Sequence, residues 1–421
     1  MLGTAVFLAD RLMLARYHQD ALASMQLQGP LLWSVTSVFM AICAGTVALV
    51  ARCTGAGDLA RARAVARASL RIAFVIGLAV AVVGVVGLDE IVVIFGPREE
   101  SLRALSREYL SITFSCLPAT FVATSASMIL AGGGDTRSPL LAGFLANGIN
   151  IAINAVLIFG ADLGAVRVPE LGVQGAAIGT AVAFVVEAIV LVAVLGRRGH
   201  PLCVGALWRR SDPEHGRDDG SARRDVLRLS GPAVAERVVV HIGFVAFAKA
   251  ITELGPLAMA ANQALITVES ICFLCADGFG IAAATVMGQR LGRGDPTGAR
   301  HGGFVATMLA TLSITLVGIL LWASGRWTLP IFVAPGEDGT AFLATGLALL
   351  PILAMAQPFM TTSIVLANGL RGAGDTRSPL VAALLGGLVV RVSLAWTLGI
   401  ALDLGLPGIW YASTIDWVVR T

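Results

Sequence analysis

Gly132-Gly133-Gly134-Asp135-Thr136-Arg137-Ser138-Pro139-Leu140 recurs as Gly372-Ala373-Gly374-Asp375-Thr376-Arg377-Ser378-Pro379-Leu380, 240 positions further along the chain. Each copy closes one apolar run and opens the next. Two copies so far apart in a chain of 421 residues mean that one unit has been doubled. A second pair agrees. Gly55-Ala56-Gly57-Asp58, followed by Ala60-Arg61-Ala62-Arg63, matches Gly292-Arg293-Gly294-Asp295, followed by Gly298-Ala299-Arg300, at an offset of 237. Ser138 and Ser378 stand directly before proline, which reads as an N-cap followed by the first helical residue.

The apolar runs set the fold class. Hydrophobic residues make up 56% of the chain, charged residues 14%, and the mean hydropathy is +0.82. A soluble domain carries about 25% charge, so this chain cannot cover itself in water and reads as an all-α integral membrane protein. About 20 apolar residues span the bilayer as a helix. On that measure, spans fall near 1–18, 28–51, 69–95, 108–131, 138–160 and 172–196. A second set falls near 229–253, 257–288, 302–333, 341–369, 379–402 and 407–421. The expected fold is therefore twelve transmembrane helices in two six-helix repeats: an N-terminal lobe (1–196), a polar linker (197–226) and a C-terminal lobe (227–421). The end spans are short, with nine residues before Asp10 and about fifteen in the last, which reads as trimmed termini or a misplaced start.

Arginine sets the orientation. The 52–71 loop holds Arg52, Arg61, Arg63, Arg67 and Arg71, the linker region holds eight from Arg197 to Arg228, and the 290–300 loop holds Arg290, Arg293 and Arg300. The alternate loops are poorer, and the 96–107 loop fits less cleanly. By the positive-inside rule the arginine-rich loops and both termini face the cytoplasm, in a multi-pass protein of the cell (plasma) membrane. Lys249 is the single lysine, which excludes a Walker A phosphate loop. Transport would then draw on an ion gradient. Cys272 and Cys275 have C-x-x-C spacing without a second pair to complete a zinc site, and the five histidines are scattered. No metal, no cofactor, no nucleic-acid partner and no enzymatic activity are expected of the chain. Its expected partners are the lipid bilayer and small-molecule substrates, and it is expected to be a monomer.

The doubled Gly-Asp-Thr-Arg-Ser-Pro, the run LANGINIAINAVLIFG at 145–160, the LGVQGAAIGTA at 171–181 and the GAGD and GRGD loops together resemble the multidrug and toxic compound extrusion (MATE) family of secondary transporters. The resemblance covers almost the whole chain. It implies two six-helix lobes in a V, an alternating-access cycle, and export of amphipathic, often cationic compounds against H⁺ or Na⁺.

Asp10 lies inside the first span, where a carboxylate is costly and by default marks an ion pathway. The resemblance implies that it is the coupling acid of the N-terminal lobe. Pairing with Arg11, or placement in the headgroups, are the structural alternatives. Asn147, Asn150 and Asn154 share one helix face at i, i+3 and i+7. They read equally as interhelical glue or, by the resemblance, as cavity residues, with Asn150 and Asn154 near the aspartate and Thr180 joining from the next helix. Some proton-coupled (DinF-like) members carry a second aspartate where Asn154 stands, which leaves Asp10 more alone here. The sodium-coupled (NorM-like) pattern expects a glutamate near 240–241 and an aspartate near 360, where this chain has Val240, His241 and Met360. The chain therefore reads as closer to the DinF-like pattern, with H⁺ favoured over Na⁺ as coupling ion. In the C-terminal lobe the weaker candidates are Glu236, Glu269 and Asp277, the last two eight residues apart on one helix face. Arg391 matches a family arginine and is expected to pair with one of these acids. Glu187 and Asp416 lie in spans without an assigned role.

The function expected from these residues is a cation-coupled antiporter for drugs or metabolites. A lipid-linked precursor flippase would need several clustered cations, and Arg11, Arg237 and Arg391 are scattered. A membrane-embedded enzyme would need a clustered metal site or nucleophile.

Overall fold

The computed structural model describes residues 10, 13–14, 19–95, 99–162, 167–205, 216–333 and 339–421. The first expected span therefore lies outside the described residues apart from Asp10, Met13 and Leu14, whose backbone is helical. Arg11, the proposed alternative partner of Asp10, also lies outside them. The remaining eleven spans are helices. The chain is thus an all-helical membrane protein; among the described residues a single two-residue antiparallel pairing, Ala161–Asp162 against Arg167–Val168, lies in a connecting loop.

By packing, the chain divides into two compact units, Met1–Thr54 with Asp58–Leu227, and Gly55–Gly57 with Arg228–Thr421. The first contains α1 (Gln19–Gly55), α2 (Leu59–Val86), the short α3 (Leu88–Phe95), α4 (Glu100–Gly133), α5 (Arg137–Phe159) and α6 (Gly172–Gly196). Here α4 packs on α2 and α6, and α6 packs on α5. Phe39 of α1 stacks on Phe121 of α4 with ring centroids 3.9 Å apart, in a core with Tyr109, Phe114 and Leu117. α7 (Gly216–Glu253) contains the unit boundary. The second unit continues with α8 (Pro256–Gly292), α9 (Pro296–Thr328), α10 (Thr340–Gly372), α11 (Arg377–Ala401) and α12 (Gly405–Arg420). α10 packs on α8, α9 and α12, around Leu265, Leu349, Leu353, Ile409 and Trp410.

Nine helices among the described residues are long and apolar enough to cross a membrane. α7 and α12 fall outside that set, α12 having only 16 residues. Along α9, Leu309, Leu312, Leu316, Ile319 and Leu320 form an exposed stripe at helical spacing. In water such a patch would drive association; in a bilayer it is the lipid face.

The doubled sequence is a doubled conformation. Gly134 and Gly374 have φ of 92° and 94°, the left-handed region where glycine is at home. Asp135 N and Asp375 N each bond the carbonyl five residues back at 2.9 Å. Gly57 and Gly294 repeat the turn at φ 75° and 74°, and Asp58 and Asp295 then cap α2 and α9 through Arg61 N and Gly298 N.

Two details differ from the sequence reading. Ser138 and Ser378 are not N-caps, because α5 and α11 begin at Arg137 and Arg377, two residues before the prolines expected to open them. Asp135 Oδ1 accepts from Arg137 N (3.1 Å) and Ser138 N (3.0 Å), and its Oδ2 accepts from Ser138 Oγ. Asp375 repeats this set. The aspartate satisfies the free amides at the helix start, and Pro139 and Pro379 sit within the first turn, where a missing N–H costs nothing. The described parts of the polar stretch, 197–205 and 216–226, pack against the helices around them. α7 begins at Gly216, inside it, and Ala222 and Val226 are buried with Leu195, Leu202 and Val204. Arg61 explains the docking: it bonds Ser221 Oγ and Asp225 Oδ2, both at 2.6 Å, while Arg63 Nε donates to the Pro201 carbonyl at 2.9 Å.

Candidate functional site

Asp10 is fully buried. Among the described residues its carboxylate accepts four hydrogen bonds, from three helices. Asn154 Nδ2 (2.5 Å) and Asn150 Nδ2 (3.2 Å) of α5 donate to Oδ1. Thr180 Oγ1 of α6 (2.5 Å) and Tyr109 Oη of α4 (3.5 Å) donate to Oδ2. The amides also link to one another and to the hydroxyl: Asn154 Nδ2 lies 3.4 Å from Asn150 Oδ1, and Asn150 Nδ2 lies 3.3 Å from Thr180 Oγ1. All four donors belong to neutral side chains. A buried carboxylate is ordinarily held by a cation; among the described residues this one is held by dipoles.

The structure thus brings together Asp10, Asn150, Asn154 and Thr180 and adds Tyr109, which the sequence reading missed. Asn147, on the same helix, is half-buried, and its amide donates to the Gly143 carbonyl. Asn154 Oδ1 is buried without a hydrogen-bond partner.

The C-terminal candidates occupy a different chemical setting. Glu236 Oε1 is paired with Arg371 Nη2 at 2.5 Å, Arg371 Nη1 donates to Asn368 Oδ1 (3.0 Å), and Asn368 Nδ2 donates to Asp277 Oδ1 (3.3 Å). The charge of Arg237 acts on Glu236 and Asp277 as well. Glu269 interacts with Gln357 and with the charge of Arg391. Glu269 and Asp277 therefore both face α10, as their spacing predicts.

Arg391 corrects an expectation. Its close ion-pair partner is Asp416, 2.8 Å from Nε, outside the expected set, although its charge also acts on Glu269. Asp416 is fully buried and also binds Arg420 through both oxygens, at 2.6 and 2.9 Å. The reason is position: Arg391 lies on α11, which packs on α12, and Asp416 and Arg420 are one turn apart on α12. Trp417 lies under both guanidinium groups, 5.1 and 4.8 Å from its ring centroid. Met360 is buried among apolar side chains and Cys272.

The family model for MatE matches residues 1–156 and 232–397, which include both copies of the doubled motif. The chain is a MATE family transporter. A "Probable multidrug resistance protein NorM" of Thermotoga maritima is 26% identical over 98% of this chain and 86% of its own length. A protein of the same name from Rhodopseudomonas palustris is 30% identical over 99% and 85%. The MATE fold is equally plain in solved structures. A MOP superfamily transporter from Pyrococcus furiosus superposes with a TM-score of 0.88 at 21% identity, over all of this chain and 90% of that one. An outward-facing multidrug resistance MATE family transporter gives 0.86 at 20%, over all of this chain and 90% of that one.

Proposed function

We propose that this MATE transporter is an antiporter that exports amphipathic or cationic drugs or metabolites by alternating access, with H⁺ as the coupling ion and Asp10 as the coupling carboxylate. One observation carries the reading: Asp10 is buried against four neutral donors, whereas Glu236 and Asp416 are locked to arginines. A carboxylate held by dipoles can gain and lose a proton without stranding a buried cation; a salt-bridged one cannot. Two of its four donors are hydroxyls, and a hydroxyl can turn to accept from a protonated carboxyl. Protonation from outside would remove the charge, loosen the first helix from α4, α5 and α6, and weaken the hold on substrate in the N-terminal lobe. Return to the inward state would release the proton and reload substrate. The relatives' names, multidrug resistance proteins, support small molecules as cargo.

Within this reading the lobes are 1–196 and 227–421, joined by the cytoplasmic segment 197–226. The monomeric protein sits in the plasma membrane with both termini cytoplasmic, as the arginine distribution supports. The test is Asp10→Asn in proteoliposomes, with ΔpH and the Na⁺ gradient collapsed separately. Loss of proton-driven export of a fluorescent cation by the variant is expected, together with wild-type dependence on ΔpH. Undiminished proton-driven export by Asp10→Asn would overturn the assignment, and dependence on Na⁺ alone would replace the ion.

A further inference from the structure

Asn154 reaches Asp10 because of what faces it on α6. A Cβ built on Gly179 would overlap Asn154 Oδ1, and the Asn150 carbonyl lies 3.5 Å from the same point. Asn154 Oδ1 is the atom that lacks a hydrogen-bond partner. The amide is therefore pressed, oxygen first, into the gap left by the missing side chain, with its nitrogen turned to the carboxylate. Thr180, the next residue, delivers its hydroxyl to the other carboxylate oxygen.

The doubled architecture separates this glycine from those that only pack helices. In the first unit Leu171 N bonds the Leu157 carbonyl, Gly172 has φ 52°, and a Cβ on Gly175 would lie 2.7 Å from the Leu157 carbonyl carbon. In the second unit Leu404 N bonds the Leu398 carbonyl, Gly405 has φ 62°, and a Cβ on Gly408 would lie 2.6 Å from the Leu398 oxygen. Gly172 and Gly175 thus correspond to Gly405 and Gly408, and both lobes need them to start the sixth helix against the fifth. The same register places Gly179 opposite Ala412, which is fully buried. It places Leu157 opposite Leu398, and hence Asn154 opposite Ala395, which is also fully buried. The fold accepts a methyl group at this helix position where no asparagine faces it.

We propose that Gly179 is a positioning residue of the Asp10 site: its lack of a side chain lets Asn154 close on the carboxylate. The proposal rests on Asp10 being the coupling group. Proton-driven export is measured for Gly179→Ala, Asn154→Ala and the double variant, with Asp10→Asn and Gly148→Ala as controls. A Cβ on Gly148 has nothing within 4 Å. Losing a hydrogen bond to a charged group costs roughly tenfold or more, so each single variant is expected to lose about that. Losing a donor to the charged form favours the protonated form, so the pH profile of export moves upward in both. The double variant is expected to be no worse than either single one, because the methyl group has nothing left to displace. Gly148→Ala is expected to behave as wild type, and folded yield by size exclusion separates misassembly from lost transport. Wild-type export and pH profile in Gly179→Ala, or independent, multiplying losses in the double variant, would overturn the proposal. Normal export by Asp10→Asn sinks the coupling assignment instead, a separate result.

Discussion

Thr180 Oγ1 and Tyr109 Oη both donate to Asp10 Oδ2, but at 2.5 and 3.5 Å they do unequal work. Hydroxyl hydrogen bonds are formed at about 2.5–3.0 Å, and weaken beyond that. Thr180→Val keeps the shape and removes the short bond, so export at saturating ΔpH should fall roughly 10- to 100-fold, on a cost of about 1.5–3 kcal/mol for a bond to a charged group. Tyr109→Phe should cost about twofold or less, and the ratio of the two variants' initial rates in proteoliposomes checks the ranking. The two residues also differed in how readable they were. Asn150, Asn154 and Thr180 are polar atoms in apolar runs, and the 3.6-residue period puts the asparagines on one face. Tyr109 lies near the start of a span, where an aromatic ring reads as core or interface anchor. Its hydroxyl acquires a role only once α4 is packed against the first helix, which no spacing within α4 encodes. Gly179 was illegible for a related reason: what it does is leave space on another helix.

Element boundaries follow charge and capping more closely than hydropathy. α2 begins at Leu59, ten residues before the apolar run expected there, because Asp58 caps it and the helix continues through Arg61, Arg63 and Arg67 while burying Ala62, Val65, Ala66 and Ala68. Hydropathy reads those arginines as loop; the alanine and valine face reads as helix. The same run stops at Gly87, and α3 follows as a separate piece. At the doubled turn, Ser378's hydroxyl and backbone amide, with Arg377's amide, hold the Asp375 carboxyl below the usual carboxylate range. A depressed carboxylate adds stability that is present above its unfolded pKa of about 3.9 and is lost as pH falls through the lower folded value. Asp375→Ala should therefore lower the melting temperature of the purified protein at neutral pH, by a cap's worth of about 1 kcal/mol. The difference from wild type should shrink below about pH 3.9, and a deficit that persisted undiminished in acid would assign the effect to packing instead of the charged cap. Asp135→Ala should repeat the neutral-pH effect, since its cap is the same.

For the whole molecule, the doubling was legible from two motifs, but the chemical divergence of the two lobes was not. One lobe holds its buried acid with neutral donors; the other holds Asp416 between Arg391 and Arg420. Sequence placed Asp416 in a span and Arg391 in another without joining them, because their partnership depends on how α11 packs against α12. The close fit is visible in Gly386 and Gly387 of α11, where any side chain would run into Arg420. This contrast makes opposite predictions for two conservative changes. Asp416→Asn leaves two largely buried guanidinium groups facing one neutral amide, and breaking a buried pair in this way costs about 3–5 kcal/mol. Its melting temperature in detergent should fall sharply. Asp10→Asn removes a buried charge whose four hydrogen-bonding side chains are all neutral, so it should leave the melting temperature unchanged or raise it while abolishing proton-driven export. Combining Asp416→Leu with Arg391→Met and Arg420→Met removes all three charges together and should recover much of the stability, since apolar replacements of buried ionic triads are often neutral or stabilising. Full transport in that triple variant would make the second lobe's network a brace. Loss of transport from a stably folded triple variant would instead give Arg391 and Arg420 a part in the transport cycle.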